Sequence, residues 1–122
     1  MKKILVVDDS RIMRNVVKNT FSLLAIPCEF IEAEDGEAAL EQLNRNDIDL
    51  ILLDWNMPKL SGIDFLKQVR NIAKYEKLPI IMVTSEAAKY NVIEALKAGA
   101  TDYIIKPIND KKFKDKVTKI FV

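Results

Sequence analysis

Four consecutive apolar residues, Leu50-Ile51-Leu52-Leu53, run straight into a carboxylate at Asp54, and Pro58 follows soon after. An unbroken apolar run of this length fits a strand covered on both faces and is too short for an amphipathic helix. Pro58 cannot continue a ladder, so the strand must stop near Asp54. A strand of this kind needs helices above and below it, which points to an open parallel sheet. In such sheets ligands sit in the crevice at the carboxyl ends of the strands. Asp54 is therefore expected where the chain can carry something.

The rest of the chain alternates around this strand. Ile4 to Val7 reads as a first buried strand, also ending in acids, Asp8-Asp9. Arg11 to Leu24 has helical spacing, with Ile12, Met13, Val16, Val17, Phe21 and Leu24 as its apolar stripe and Asp9 or Ser10 as N-cap. Pro27 breaks that pattern, and Cys28 to Ala33 is a second, shorter strand. Asp35-Gly36 turns the chain into a helix over Glu37 to Asn44. After Leu50 to Leu53, Ser61-Gly62-Ile63-Asp64 outlines a capping box opening a helix with Ile63, Leu66, Val69, Ile72 and Ala73. Pro79 to Thr84 is a fourth strand, and Glu86 to Ala98 a helix stopped by Gly99. Asp102 to Lys106 is a fifth strand ended by Pro107, and Asn109 caps a last helix bearing Phe113, Val117, Ile120 and Phe121. Five strands alternating with five helices imply right-handed crossovers and an α/β doubly wound parallel sheet.

Composition narrows the chemistry. The 122 residues suit one domain, and 49% hydrophobic content suffices for its core. The formal net charge of +1 excludes a generic nucleic-acid binder. Histidine is absent, which removes His-based acid–base catalysis and His-metal sites. No Gly-rich loop follows the first strand, so a dinucleotide site or P-loop is not supported. The one cysteine, Cys28, is read as a small buried hydrophobe rather than a reactive thiol. The apolar run at the start ends at once in Asp8-Asp9 without a small-residue cleavage site, and no stretch is long enough to span a bilayer. A cytoplasmic protein is expected.

The chemistry-bearing residues fall at the same ends of the strands: Asp8 and Asp9, Asp54, Thr84, and Lys106. If the first strand lies beside the third, three carboxylates share one crevice. Two like charges ~4 Å apart repel by roughly 4 kcal/mol at an effective dielectric near 20, so the cluster calls for a cation or a proton. Oxygen donors without histidine or thiolate favour a hard ion such as magnesium. Lys106 offers a point charge for a phosphoryl group, and Thr84 a hydroxyl donor. Singly, each residue has a plainer reading: an acid that caps a helix, a Thr with strand propensity, a solvated Lys. Their coincidence on one edge favours phosphoryl transfer to a carboxylate, with Asp54 as nucleophile.

Val6-Val7-Asp8-Asp9-Ser10, Asp54-Trp55-Asn56-Met57-Pro58 with Gly62, Val83-Thr84-Ser85, Ala98-Gly99-Ala100 and Asp102-Tyr103-Ile104-Ile105-Lys106-Pro107 together resemble the receiver domains of bacterial two-component response regulators. The resemblance covers essentially the whole chain. It implies a flavodoxin-like fold with strand order 2-1-3-4-5, and a single receiver domain over residues 1–122 with no output domain. It further implies that Asp54 accepts phosphate from the phosphohistidine of a sensor histidine kinase. Magnesium would be held by Asp9, Asp54 and the backbone carbonyl of Asn56, with Asp8 helping directly or through water. Thr84 and Lys106 would contact the phosphoryl group. Thr84 and Tyr103 would form the switch, the ring swinging inward, and the Lys106–Pro107 peptide would be cis. Asn56 and Glu86, each two residues after Asp54 and Thr84, would tune hydrolysis of the acyl phosphate. Asn56, Glu86, Trp55 and Tyr103 match the chemotaxis type, whereas Ser85 stands where Ala is common.

Charge is uneven. Glu29, Glu32, Glu34, Asp35, Glu37 and Glu41 crowd one region, and Lys106, Lys111, Lys112, Lys114, Lys116 and Lys119 the C-terminal end. Both clusters can be solvated helix faces. The basic one can also dock an acidic partner, and by resemblance the output face is the fourth helix, fifth strand and fifth helix. The expected output partner is a flagellar motor switch protein, with a phosphatase as a further partner, and the chain is expected to be a monomer without nucleic-acid or membrane ligands. Three alternatives stay open: a phosphorelay intermediate feeding a phosphotransferase, an aspartate-nucleophile phosphatase, and a phosphorylation-independent binding or scaffold domain, against which the intact acidic set argues. The second is weakened because Asn56 stands where such enzymes need a second acid.

Overall fold

Side chains alternate across a strand, so a fully buried parallel strand must feed two cores at once. The computed structural model, which describes residues 1–121, shows this division. Five strands, β1 (Lys2–Val7), β2 (Cys28–Ala33), β3 (Leu50–Leu53), β4 (Ile80–Thr84) and β5 (Asp102–Ile105), form one parallel sheet in the order β2-β1-β3-β4-β5. The helices are α1 (Arg11–Ser22), α2 (Gly36–Arg45), α3 (Gly62–Arg70), α4 (Lys89–Lys97) and α5 (Asp110–Phe121), with a short 3-10 turn at Ala73–Tyr75. Leu5, Val7, Ile51, Leu53, Ile80 and Met82 face α2, α3 and α4, packing on Leu43, Phe65, Leu66, Val69 and Ala95. Their neighbours Ile4, Val6, Leu50, Leu52, Ile81 and Val83 face α1 and α5, packing on Val17, Phe21, Phe113 and Val117. Phe21 meets Phe113 edge-on at 6.3 Å between ring centroids. The flavodoxin-like architecture expected from the sequence is the one observed.

Register brings the functional edge together. Val7 pairs with Leu53 across β1 and β3. The Asp8 amide donates to the Ala33 carbonyl at 3.1 Å, the Asp54 amide to the Val7 carbonyl at 2.9 Å, and the Lys106 amide to the Thr84 carbonyl at 2.9 Å. The ladder thus runs one residue past each strand and delivers Asp8, Asp54 and Lys106 to the same edge. The Lys106–Pro107 peptide is cis.

Several boundaries differ from the periodicity. α1 ends at Ser22 and the chain turns through Ala25 at φ 56°. Its buried face is Val17, Thr20 and Phe21, whereas Ile12 and Val16 lie outside the core. α3 stops at Arg70, because the Arg70 guanidinium is taken by two carbonyls, Gly99 at 2.8 Å and Tyr75 at 2.7 Å, which fold the next turn beneath it. Ile72, expected on the buried face, is exposed. α4 begins at Lys89, three residues later than expected, since Glu86 is held by groups outside the helix. Ser10, Asp35, Ser61 and Asn109 each cap a helix through a side-chain oxygen. Cys28 is half-buried and packs on the α1–α5 core, and burial pushes its thiol pKa up.

Candidate functional site

Asp8 is buried at the tip of β1 and its carboxylate is fixed from two sides. Its Oδ1 accepts the Ser10 amide at 2.9 Å, and its Oδ2 accepts from Lys106 Nζ at 2.7 Å. The Asp8 backbone carbonyl accepts from the Arg14 guanidinium at 2.7 Å, while Arg14 Nε pairs with Glu32 on β2 at 3.0 Å. Lys18 joins the same Glu32 at 3.1 Å, and these two cations hold the Glu32 carboxyl below its ordinary pKa against the effect of burial. α1 is therefore tied to β2 beneath the Asp8-Asp9 loop. Nothing in the sequence singled out Arg14, because its partner is a backbone atom six residues away.

Asp54 is 7% exposed. Its Oδ1 accepts the Trp55 amide at 2.8 Å, and its Oδ2 lies 3.6 Å from Lys106 Nζ. The loop beyond it folds back tightly: the Gly62 amide donates to the Trp55 carbonyl at 2.8 Å, and a Cβ on Gly62 would stand 1.9 Å from the Asp54 carbonyl oxygen. Only glycine fits there, which explains the glycine after the Ser61 cap. Likewise the Gly36 amide donates to the Leu60 carbonyl at 3.2 Å, locking the same loop to α2.

Asp8, Asp9 and Asp54 each present a carboxylate oxygen within 4.8 Å of the others. Asp9 is exposed and the other two are buried. Lys106, itself largely buried, is the one cation paired with these carboxylate oxygens among the described residues. One ammonium cannot balance three carboxylates, so the cluster is short of positive charge. Asp54 registers this: burial foremost, then the charge of Asp8, pushes its pKa above the ordinary Asp value, while Thr84, Lys106 and the Trp55 amide pull it back. A divalent ion relieves that imbalance, and an all-oxygen donor set of this size fits a hard cation such as magnesium. The residues present fit a metal site.

Thr84 is fully buried at the end of β4 beside Asp54. Its Oγ1 accepts the Glu86 amide at 3.3 Å. Tyr103 on β5 is 6% exposed, with its ring turned inward and its hydroxyl donating to the Glu86 carbonyl at 2.6 Å. Burial, and then the charges of Glu86 and Asp54, push the Tyr103 phenol up to about 12. Asn56 is exposed and donates from Nδ2 to Glu86 Oε1 at 2.5 Å. All the residues singled out in the sequence therefore lie on one edge: Asp8, Asp9, Asp54 and Lys106 in one cluster, Thr84 against it, and Asn56, Glu86 and Tyr103 around it. Asn91, which bonds Glu86 Oε2 at 3.3 Å, was not legible. A surface hollow of about 450 Å³ lies elsewhere, between Lys67 of α3 and Tyr90, Ile93 and Lys97 of α4. Volume does not mark this site; charge does.

Known proteins resemble the chain over nearly its whole length. The family described as "Response regulator receiver domain" matches residues 4–118. The chain is 46% identical over 116 residues to chemotaxis protein CheY1 of Helicobacter pylori, covering 94% of this chain and 93% of that protein. It is 45% identical over 119 residues to a chemotaxis protein CheY homolog of Campylobacter jejuni, covering 97% and 91%. Among solved structures, chemotaxis protein CheY4 of Vibrio cholerae superposes with a TM-score of 0.87 at 33% identity, covering 98% of each chain. With the profile spanning nearly the whole chain and relatives this similar end to end, the protein belongs to the response regulator receiver domain family.

Proposed function

We propose that this chain is a phosphorylation-switched signalling module, a receiver domain that takes a phosphoryl group on Asp54 and changes partner binding in response. The observation that carries this reading is the placement of a buried Asp54 carboxylate between two further acids and Lys106 at one sheet edge. Asp54 Oδ1 is held by the Trp55 amide, which leaves Oδ2 as the attacking oxygen. That oxygen bonds to phosphorus while the phosphorus–nitrogen bond to a donor phosphohistidine breaks and the imidazole leaves. Lys106 grips a phosphoryl oxygen through its ammonium, and the Thr84 hydroxyl donates to another. Asp8, Asp9, Asp54 and the Asn56 carbonyl would hold magnesium, which supplies neutralisation of phosphoryl charge when bound. Positioning and charge stabilisation carry most of such a transfer, so no general acid is required.

The donor is a sensor histidine kinase and the setting is chemotaxis, in keeping with the relatives named as chemotaxis proteins. The output face is α4, β5 and α5, where Leu96 and Ile105 stand half-exposed beside exposed Lys112. A flagellar motor switch component is the partner this reading names. Thr84 and Tyr103 form the switch and the protein works in the cytoplasm as a monomer, with a phosphatase as a further partner. An aspartate-nucleophile phosphatase is disfavoured because Asn56, where a second acid would act, spends its side-chain donor on Glu86. The test is incubation with a small acyl phosphate and magnesium: the parent gains one phosphoryl group, whereas incorporation into Asp54→Asn at the parent's level overturns the reading.

A further inference from the structure

Glu86 is engaged through its side chain and both of its backbone polar groups. Its carboxylate takes Asn56 Nδ2 on Oε1 at 2.5 Å and Asn91 Nδ2 on Oε2 at 3.3 Å. Its amide donates to Thr84 Oγ1 and its carbonyl accepts from the Tyr103 hydroxyl. Asn56 and Glu86 leave the tips of adjacent strands, β3 and β4, two residues after Asp54 and Thr84. The bridge between them therefore crosses the crevice in which those two residues stand. Two contacts decide where that bridge lies, one from the Asn56 loop and one from Asn91. Asn91 sits in the first turn of α4, a helix whose N-cap, Ala88, offers no side-chain oxygen. The Asn91–Glu86 bond is thus the side-chain link between the start of α4 and the site.

Resting on the function proposed above, we infer that Asn91 is a positioning residue: it anchors Glu86 across the mouth of the Asp54 crevice, so that the Asn56–Glu86 bridge limits entry of water to the acyl phosphate. The step it governs is hydrolysis. A water oxygen bonds to phosphorus, the phosphorus–oxygen bond to Asp54 breaks, the carboxylate is regenerated, and inorganic phosphate leaves with the water's remaining protons shared between phosphate and solvent. With Asn91 truncated, the Glu86 carboxylate keeps one partner instead of two and the bridge swings open. The start of α4 thereby sets the lifetime of the phosphorylated form.

The experiment loads the full chain with acetyl phosphate and magnesium, removes the donor by rapid desalting, and follows release of inorganic phosphate. Asn91→Ala is expected to release phosphate about threefold faster or more, as loss of one hydrogen bond to a charged group allows. Asn91→Asp, which sets a carboxylate against Glu86, is expected to move the rate in the same direction and keeps the test open if the alanine variant fails to fold. Glu86→Ala should be fast, and adding Asn91→Ala to it should change nothing further. Magnesium affinity, read from Trp55 fluorescence, should stay at the parent's value, which separates positioning from general damage to the site. An unchanged or slower rate in both Asn91 variants overturns the inference alone. The same acceleration by Asn91→Ala in the Glu86→Ala background also overturns it, because the effect would not pass through Glu86. A parent that takes up no phosphoryl group removes the underlying function and this inference together.

Discussion

Asp54→Asn should make the protein more stable when magnesium is withheld. Asp54 lies within 4.8 Å of both Asp8 and Asp9 carboxylate oxygens, and 3.6 Å from Lys106 Nζ. At an effective dielectric near 20, each repulsion is worth about 3.5 kcal/mol and the attraction about 4.6 kcal/mol. The two repulsions exceed the single attraction by about 2.4 kcal/mol. Weaker hydrogen bonding to a neutral amide takes back about 1 kcal/mol, leaving a net gain of about 1–2 kcal/mol. The raised pKa of Asp54 agrees in sign. A carboxyl whose folded pKa is raised opposes folding once ionised; that penalty is absent below the unfolded pKa and complete above the folded one. Thermal melts in EDTA near neutral pH should therefore place Asp54→Asn about 4–8 °C above the parent. Magnesium should raise the parent more than the variant, because the variant lacks one of its ligands. A variant that melts below the parent in EDTA would refute the argument that the cluster lacks positive charge.

Two further outcomes follow from the geometry. Gly62→Ala should lower stability by about 2 kcal/mol or more in urea unfolding, since the added methyl meets the Asp54 carbonyl oxygen at 1.9 Å and no flexible side chain can yield; a midpoint equal to the parent's would contradict the tight loop. In an absorbance titration, the phenol lost in Tyr103→Phe should be one that ionises near pH 12; burial, then the charges of Glu86 and Asp54, disfavour its ionised form, so the stability it contributes is complete below the ordinary tyrosine range and is lost as pH rises through 12.

The core was legible because it rests on backbone periodicity. Leu50 to Leu53 announces burial on both faces, and the acids and Lys106 at the strand ends need only a parallel sheet to meet. Their convergence follows from register, which the sequence pattern already constrains. What could not be read depends on long-range contacts with no local signal. Arg14 reaches the Asp8 carbonyl through space. Arg70 ends α3 early by bonding carbonyls of Tyr75 and Gly99, one of them 29 residues away in sequence. α4 starts late because Glu86 is engaged by Asn56 and Tyr103, and no propensity of the Glu86–Ala88 segment reports those partners. Ile12 belongs to an apolar helical pattern yet faces outward, since periodicity fixes a stripe only to within about one residue position, and Ile72 is exposed because it lies beyond the early end of α3.

Everything functional depends on Asp54 being the atom group that receives phosphate. The most direct measurement treats the chain with acetyl phosphate and magnesium, reduces it with borohydride, and maps the peptide containing residue 54 by mass spectrometry. The account predicts conversion of the Asp54 side chain to homoserine, dependent on both donor and magnesium. Modification at any other residue, or none at Asp54 under conditions where the protein takes up phosphate, would contradict it.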